Sequence, residues 1–255
     1  MEEDVHEYEG EDVTVTYDAN RCIHVRACVE GLASVFDADR RPWVDPDAAD
    51  ADAVAAVVER CPTGALQYER RDGGPGEAVP DRNVVTVVEN GPVYLRGDLD
   101  LRTPGGESVL RDTRVACCRC GHSGNRPACD GSHERTFEAA GVSPASAGDA
   151  VDAGADVGGD GTTDRTGGDG VDGDVEVGAD ADSDADATGG DADGRLVVTL
   201  RRDGPLHLEG AFTLRRAGET ERLTETALCR CGHSPTKPFC DGTHERVGFT
   251  TAEGE

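Results

Sequence analysis

Two stretches of the chain carry one set of metal-binding side chains at one spacing: CRCGHSGNRPACDGSH at residues 118–133 and CRCGHSPTKPFCDGTH at residues 229–244. In the first, a single residue separates Cys118 from Cys120. On an extended chain, residues i and i+2 point to the same side, so two thiolates can reach one metal atom. Arg119 then points the other way and is expected to be solvated. Cys129 and His133 stand four residues apart. If a helix begins at Asp130-Gly131, with Asp130 as its N-cap, they project from one face a turn apart. The second stretch repeats this with Cys229, Cys231, Cys240 and His244. Three thiolates and an imidazole suit tetrahedral zinc as well as iron, and spacing alone does not separate the two. His122 and His233 read as loop residues beside the set. Cys117 aligns with Leu228 and reads as a small buried side chain.

The pattern C-x-C-x2-S-x3-P-x-C-D-G-S-H resembles the CDGSH (mitoNEET-type) iron–sulfur family. Cys118, Cys120, Ser123, Pro127, Cys129, Asp130, Gly131, Ser132 and His133 match it throughout. Cys229, Cys231, Ser234, Pro238, Cys240, Asp241, Gly242 and His244 match it again, with Thr243 in place of the serine. The resemblance implies a [2Fe–2S] cluster in each unit, two cysteines on one iron and Cys plus His on the other. Ser123 and Ser234 would then bond around the cluster without touching iron. One histidine per cluster implies a reduction potential between about −400 mV, for all-thiolate ligation, and roughly −150 mV or above, for two histidines.

A third group of cysteines lies near the N-terminus. Cys61-Pro62 is similar to the Cys-Pro that closes bacterial ferredoxin motifs, whose earlier cysteines run C-x2-C-x2-C. In CIHVRAC, Cys22 and Cys28 take the first and third places, and Val25, which cannot ligate, takes the middle one. Residues 13–70 resemble the divergent single-cluster [4Fe–4S] domains related to ferredoxins. The resemblance implies one more cluster on Cys22, Cys28 and Cys61. It would be [3Fe–4S], or [4Fe–4S] with His24, an outside ligand or water on the fourth iron.

The elements that must position these side chains are partly legible. VTVTY (13–17) alternates like a half-buried strand, and RCIHVRACVEGLASVFD could hold a short helix. Asp45-Pro46 reads as an N-cap with proline at N1, opening a helix that carries Val54, Val57, Val58 and Cys61 on one face. ALQYER then returns as a strand beside VTVTY, and residues 72–82 read as a linker. NGPVYLRGDLDL (90–101) and DGPLHLEGAFTL (203–214) are an internal repeat. Each unit reads as strand, Gly-Pro turn, strand, strand and cysteine loop. Between the units, the 54 residues 141–194 hold 14 aspartates and no aromatic, too little apolar surface to fold, and are expected to be disordered.

The expected fold class is α+β. A small ferredoxin-like domain (1–71) precedes one CDGSH unit (83–140), the acidic linker (141–194) and a second β-rich CDGSH unit (195–250). In the family they resemble, two such units pair about a two-fold axis and share strands. Here they are expected to pair within the chain, as a pseudo-dimer in a monomer. A flexible linker of that length spans roughly 40 Å, enough to allow it.

Composition narrows the function. The formal charge is −27, with 52 acids against 25 bases, and the single lysine is Lys237. No basic face is available for phosphates, which excludes a nucleic-acid binder of the usual kind. The acid excess and lack of lysine point to a salt-rich cytosol, where carboxylate repulsion is screened. Only 36% of residues are apolar, which favours several small domains held by staples such as metals over one large core. MEEDVHEYEGED has no apolar core of a signal peptide, and the run Ala53 to Val58 is far too short to span a bilayer. A soluble cytoplasmic protein without membrane contact is expected, and in a reducing compartment clustered cysteines are metal ligands before they are disulfides. No nucleophile–base pair or phosphate loop is visible, so an enzyme is not expected. The expected role is electron transfer, redox sensing or cluster handling, with a redox protein or a cluster acceptor as partner. Its rivals are a structural zinc scaffold and a subunit of a larger redox enzyme.

Overall fold

A computed structural model of the chain describes residues 4–139 and 192–251. The disorder expected for the linker concerns residues that lie, up to 191, outside this range. Residues 192–194 belong to the fold. Asp193, almost fully buried, receives bonds from the Asn83 backbone N–H at 2.8 Å and from the guanidinium groups of Arg82 and Arg222.

The N-terminal part is a three-stranded antiparallel sheet in the order β1 (Val5–Glu9), β2 (Val13–Asp18), β3 (Leu66–Arg70). Strands β2 and β3 lie where their alternation puts them, Val15 facing Tyr68. Strand β1 was not legible, because VHEYE is an exposed acidic edge with one half-buried residue, Tyr8. Two short helices, α1 (Ala27–Gly31) and α2 (Ala51–Val58), cover one face. Val13, Val15, Phe36, Val54 and Val58 form the buried core between them. The expected start of α2 is corrected. Asp45-Pro46 opens only a 3-10 turn, Pro46–Ala48, and the helix itself starts after Asp50, which holds the N-cap position without a side-chain bond. Cys61 lies beyond the end of the helix, half-buried against the same core.

The second part is one sheet built from both repeats. Strands β4 (Val84–Val87), β5 (Val93–Arg102) and β6 (Ser108–Cys117) come from the first repeat. Strands β7 (Leu196–Leu200), β8 (Leu206–Arg216) and β9 (Glu219–Leu228) come from the second. Each long strand has two halves with different partners. The first half of β5 pairs with β4 and its second half, Leu99–Arg102, lies parallel to β7. The first half of β8 pairs with β7 and its second half, Thr213–Arg215, lies parallel to β4. The halves meet at register shifts beside Gly97 and Gly210, whose positive φ values no other residue adopts readily. The result is one shared core, in which Val85, Leu95 and Leu101 of one repeat pack with Val198, Leu208 and Phe212 of the other.

Residues 72–82 are more than a tether. Glu77 pairs with Arg114 of β6 at 2.6 Å. No helix among the described residues is long and apolar enough to cross a membrane.

Asp100 gives a pH test of the shared sheet. Its side chain is fully buried on the half of β5 that meets β7. Arg102 donates to it at 2.7 Å and Ser108 Oγ at 2.7 Å. The Arg102 bond holds its carboxyl below the usual range, outweighing the burial that raises it. A depressed folded value means stability that is present above the unfolded pKa and is lost as pH falls through the folded one. Asp100→Asn is therefore expected to cost about 1.5–3 kcal/mol at pH 7, with the gap to wild type closing in acid. Denaturant melts from pH 7 to 3 check this, and parallel stability curves for the two proteins would contradict it.

Candidate metal centres

In the first CDGSH unit the cysteine loop folds back on the end of β6. The Cys118 N–H donates to Pro127 O and the Cys129 N–H to Ala116 O, both at 2.8 Å. This bridge sets Cys118 beside Cys129. The second unit repeats it at the end of β9, with Cys229 to Pro238 O and Cys240 to Ala227 O, again at 2.8 Å. The thiols then fall into pairs: Cys118 and Cys120 with sulfurs 3.5 Å apart, and Cys229 and Cys231 at 3.7 Å. Cys129 Sγ lies 3.2 Å from His133 Nδ1. His244 Nδ1 is buried and has no hydrogen-bond partner among the described residues, an orphan lone pair that a metal would satisfy.

The helix expected from Asp130 is shorter and starts later. It is α3 (His133–Thr136), matched in the second unit by α4 (Thr243–Arg246). Asp130 does not cap it; its carboxylate instead accepts from the N–H groups of Gly124 (2.7 Å) and Ser132 (2.9 Å), closing the loop. Ser123 and Ser234 are almost fully buried. Each hydroxyl donates at 2.7 Å across the loop, Ser123 to Ala128 O and Ser234 to Phe239 O. His122 and His233 turn back onto their own loops, each Nδ1 on the carbonyl two residues earlier. Cys117 is fully buried in the shared core, and burial pushes its thiol up to about 12.

Arg119 corrects the expectation of a solvated side chain. It does point away from Cys118 and Cys120, but into the protein, and only 1% of it is exposed. Its guanidinium donates to Gly91 O (3.1 Å) and Val88 O (2.6 Å) and lies over the Phe137 ring. Arg230 does the same at Gly204 O and Arg201 O, over Phe249. Each arginine ties the Cys-x-Cys segment to the Gly-Pro turn of its own repeat, a role that position alone does not signal. Burial lowers the Arg119 pKa to about 10, so it stays a cation behind the thiols.

The thiols are tuned unequally. Cys118 is drawn down by its hydrogen bond with Cys120, helped against burial by the N–H groups of Ser123 and Gly121. The same bond and burial push Cys120 up. Burial raises Cys129 to about 12 and holds the His133 imidazole neutral to lower pH. Bound iron deprotonates its thiols outright, so these directions describe the metal-free loop.

In the N-terminal domain, Cys22, Cys28 and Cys61 line one small cavity of roughly 30 Å³, partly open to solvent and walled by Tyr17, Trp43 and Leu66. Burial and the neighbouring Cys61 raise Cys28 to about 11. Tyr17 hydrogen-bonds Cys22 and stacks edge-on against Trp43 at 4.9 Å. Neither aromatic was identified from sequence; the only tryptophan in the chain, lying near such a motif, was the available signal. His24 sits exposed at the rim in a left-handed conformation, φ 56°.

A family model described as a divergent 4Fe-4S mono-cluster matches residues 8–71, and one described as an iron-binding zinc finger, CDGSH type, matches residues 90–134 and 203–245. The chain belongs to both families. It is a 4Fe–4S mono-cluster domain followed by two CDGSH units, and it binds iron–sulfur centres. Two curated proteins, the "Uncharacterized protein YjdI" of Escherichia coli K12 and that of E. coli O157:H7, are each 38% identical over 64 residues. The match spans 25% of this chain and 84% of each relative. No solved structure matches the chain.

Proposed function

We propose that the protein is a carrier with three iron–sulfur centres, acting in electron transfer or cluster handling rather than as a catalyst. Cys118, Cys120, Cys129 and His133 would hold one [2Fe–2S] cluster, and Cys229, Cys231, Cys240 and His244 the other. Cys22, Cys28 and Cys61 would hold a [4Fe–4S] or [3Fe–4S] cluster, with His24 within reach of the rim. Such clusters, when bound, supply one-electron exchange.

The observation that carries this reading is the pairing of donors. Among the described residues no three such side chains converge tightly enough to hold a single ion. The first CDGSH unit instead offers its donors two by two, Cys118 with Cys120 and Cys129 with His133, and the second repeats the Cys-x-Cys pair, which suits two irons better than one tetrahedral zinc. The surrounding protein supports a carrier: Arg119 and Arg230 put fixed cations behind the thiols, and the His122 and Gly131 N–H groups donate to Cys120 and Cys129 at 3.4 Å. No basic face is offered to nucleic acid. A cytoplasmic monomer, with a redox protein or a cluster acceptor as partner, fits the acidic surface and the strands exchanged between the two repeats.

Anaerobically purified protein is expected to contain about seven or eight irons per chain with a matching amount of acid-labile sulfide, and a visible absorption that bleaches with dithionite. Stoichiometric zinc without sulfide would falsify the reading in favour of a structural scaffold.

A further inference from the structure

We propose that the three centres form a row with the first CDGSH centre in the middle, joined to the N-terminal centre through Arg114 and Tyr94, a connection the second CDGSH centre lacks. The proposal rests on the cluster reading above.

Arg114 lies on β6, four residues before Cys118, and only 1% of it is exposed. Its Nη1 donates to Cys61 O at 2.8 Å, and also to Val58 O. Its own carbonyl accepts from Arg21, the neighbour of Cys22, at 2.9 Å. Two residues further on, Ala116 O accepts the Cys129 N–H at 2.8 Å. Two hydrogen bonds and the backbone from Arg114 to Ala116 therefore connect Cys61 of one centre with Cys129 of the other. Tyr94 pairs with Ala116 across the β5–β6 ladder and lies close enough to Cys129 and Cys61 to feel the charge of both. The cysteine loop adds a third contact, Asn125 Nδ2 to Asn20 O at 2.7 Å. On its other side the first centre meets the second. Gly121 abuts the Cys231 carbonyl, and Gly232 abuts the Cys120 carbonyl.

The pseudo-symmetric face of the second repeat cannot repeat the docking. At the end of α2, Val58 O and Cys61 O accept local N–H groups, from Cys61 and Gly64, but keep a second lone pair to fill, and Glu59 O lies beyond the helix ladder. In the first repeat Arg114 and Arg96 supply the remaining donors, Arg96 reaching Glu59 O at 3.1 Å. The corresponding positions of the second repeat hold Glu225 and Glu209, with side chains 67% and 56% exposed, and His207 stands in place of Tyr94. Carboxylates have nothing to donate to carbonyls. An electron moving between the N-terminal and second CDGSH centres thus passes through the first in two hops. In each hop the giving centre is oxidised by one electron and the receiving centre reduced by one, with no bond made or broken.

Electron paramagnetic resonance of the full holoprotein, reduced with dithionite, tests the order. The signal of the N-terminal centre is expected to be broadened by a neighbouring spin. That broadening is expected to disappear in Cys129→Ser and to persist in Cys240→Ser, with iron counts confirming that the other centres remain. An unchanged N-terminal signal in Cys129→Ser, or equal narrowing in both variants, overturns the proposal. The wild type gives a second reading that needs no ligand change. Once the N-terminal centre is paramagnetic, the two CDGSH signals must differ in width, and equal widths overturn the order. Full iron and sulfide without any interaction defeats this proposal alone, whereas absence of sulfide defeats the cluster reading beneath it.

Discussion

Arg114→Met is expected to destabilise the protein by about 3–5 kcal/mol, the cost of removing one partner from a buried ion pair. The cation is almost fully buried and serves three segments at once. Its Nη2 holds Glu77 at 2.6 Å and Leu66 O at 3.3 Å, while Nη1 satisfies Val58 O and Cys61 O. Methionine fills much of the volume but donates nothing, leaving the Glu77 carboxylate without its cation and three carbonyls each short of one bond, although Val58 O and Cys61 O keep the N–H groups of Cys61 and Gly64. Glu77→Gln alone should cost less, because Arg114 keeps its carbonyls. In the double variant the uncompensated charge is gone, so the two effects are expected to fall short of their sum by about 1.5 kcal/mol or more. Urea midpoints of the four proteins measure the coupling, and strict additivity would mean that the pair is not coupled. Because Cys61 O loses the shorter of its two bonds, Arg114→Met should also loosen the N-terminal centre and speed its loss of iron. Centres in the two CDGSH units should keep theirs.

Gly121→Ala and Gly232→Ala are each expected to empty both CDGSH centres, not only the one in which the change is made. Both glycines have φ near +80°, and a side chain there costs about 1–2 kcal/mol. Space decides the rest. A Cβ on Gly121 would stand 2.7 Å from the Cys231 carbonyl oxygen, and one on Gly232 would stand 2.5 Å from that of Cys120. The obstacle in each case is backbone that carries a candidate ligand of the opposite unit, so relief requires the two cysteine loops to separate. Gly131 is the control. It has the same conformation, φ 82°, with nothing within 4 Å of a Cβ, so Gly131→Ala should cost only the backbone term. Iron per chain and thermal midpoint separate the cases. Loss confined to the mutated unit would show that the loops do not depend on each other.

Local chemistry was readable wherever one segment contains the whole instruction. The strands β2 and β3 follow from alternation, the Gly-Pro turns from their residues, and the paired donors of the CDGSH loops from their spacing. Where an instruction is split between segments, local reading failed. Asp45-Pro46 is a sound helix start by itself, yet the chain turns once more and the helix starts only after Asp50. The exposed acidic strand β1 has no apolar alternation to declare it and forms because β2 offers it an edge.

Arg119 and Arg114 mark the same boundary. Residue types and spacing were enough to single out the candidate metal ligands and to show that they come in two like sets and one unlike set. They could not say what lies behind an arginine, because burial depends on elements far away in the chain. Three-dimensional packing was needed to enclose Arg119 against Phe137, to divide the partners of each long strand between the two repeats, and to bring Arg114 and Arg96 of the first repeat against the N-terminal domain. The physical reason is that the carbonyls at the end of α2 keep lone pairs for donors from elsewhere. Two near-identical repeats differ at that face by arginine against glutamate, and only the arginines can donate.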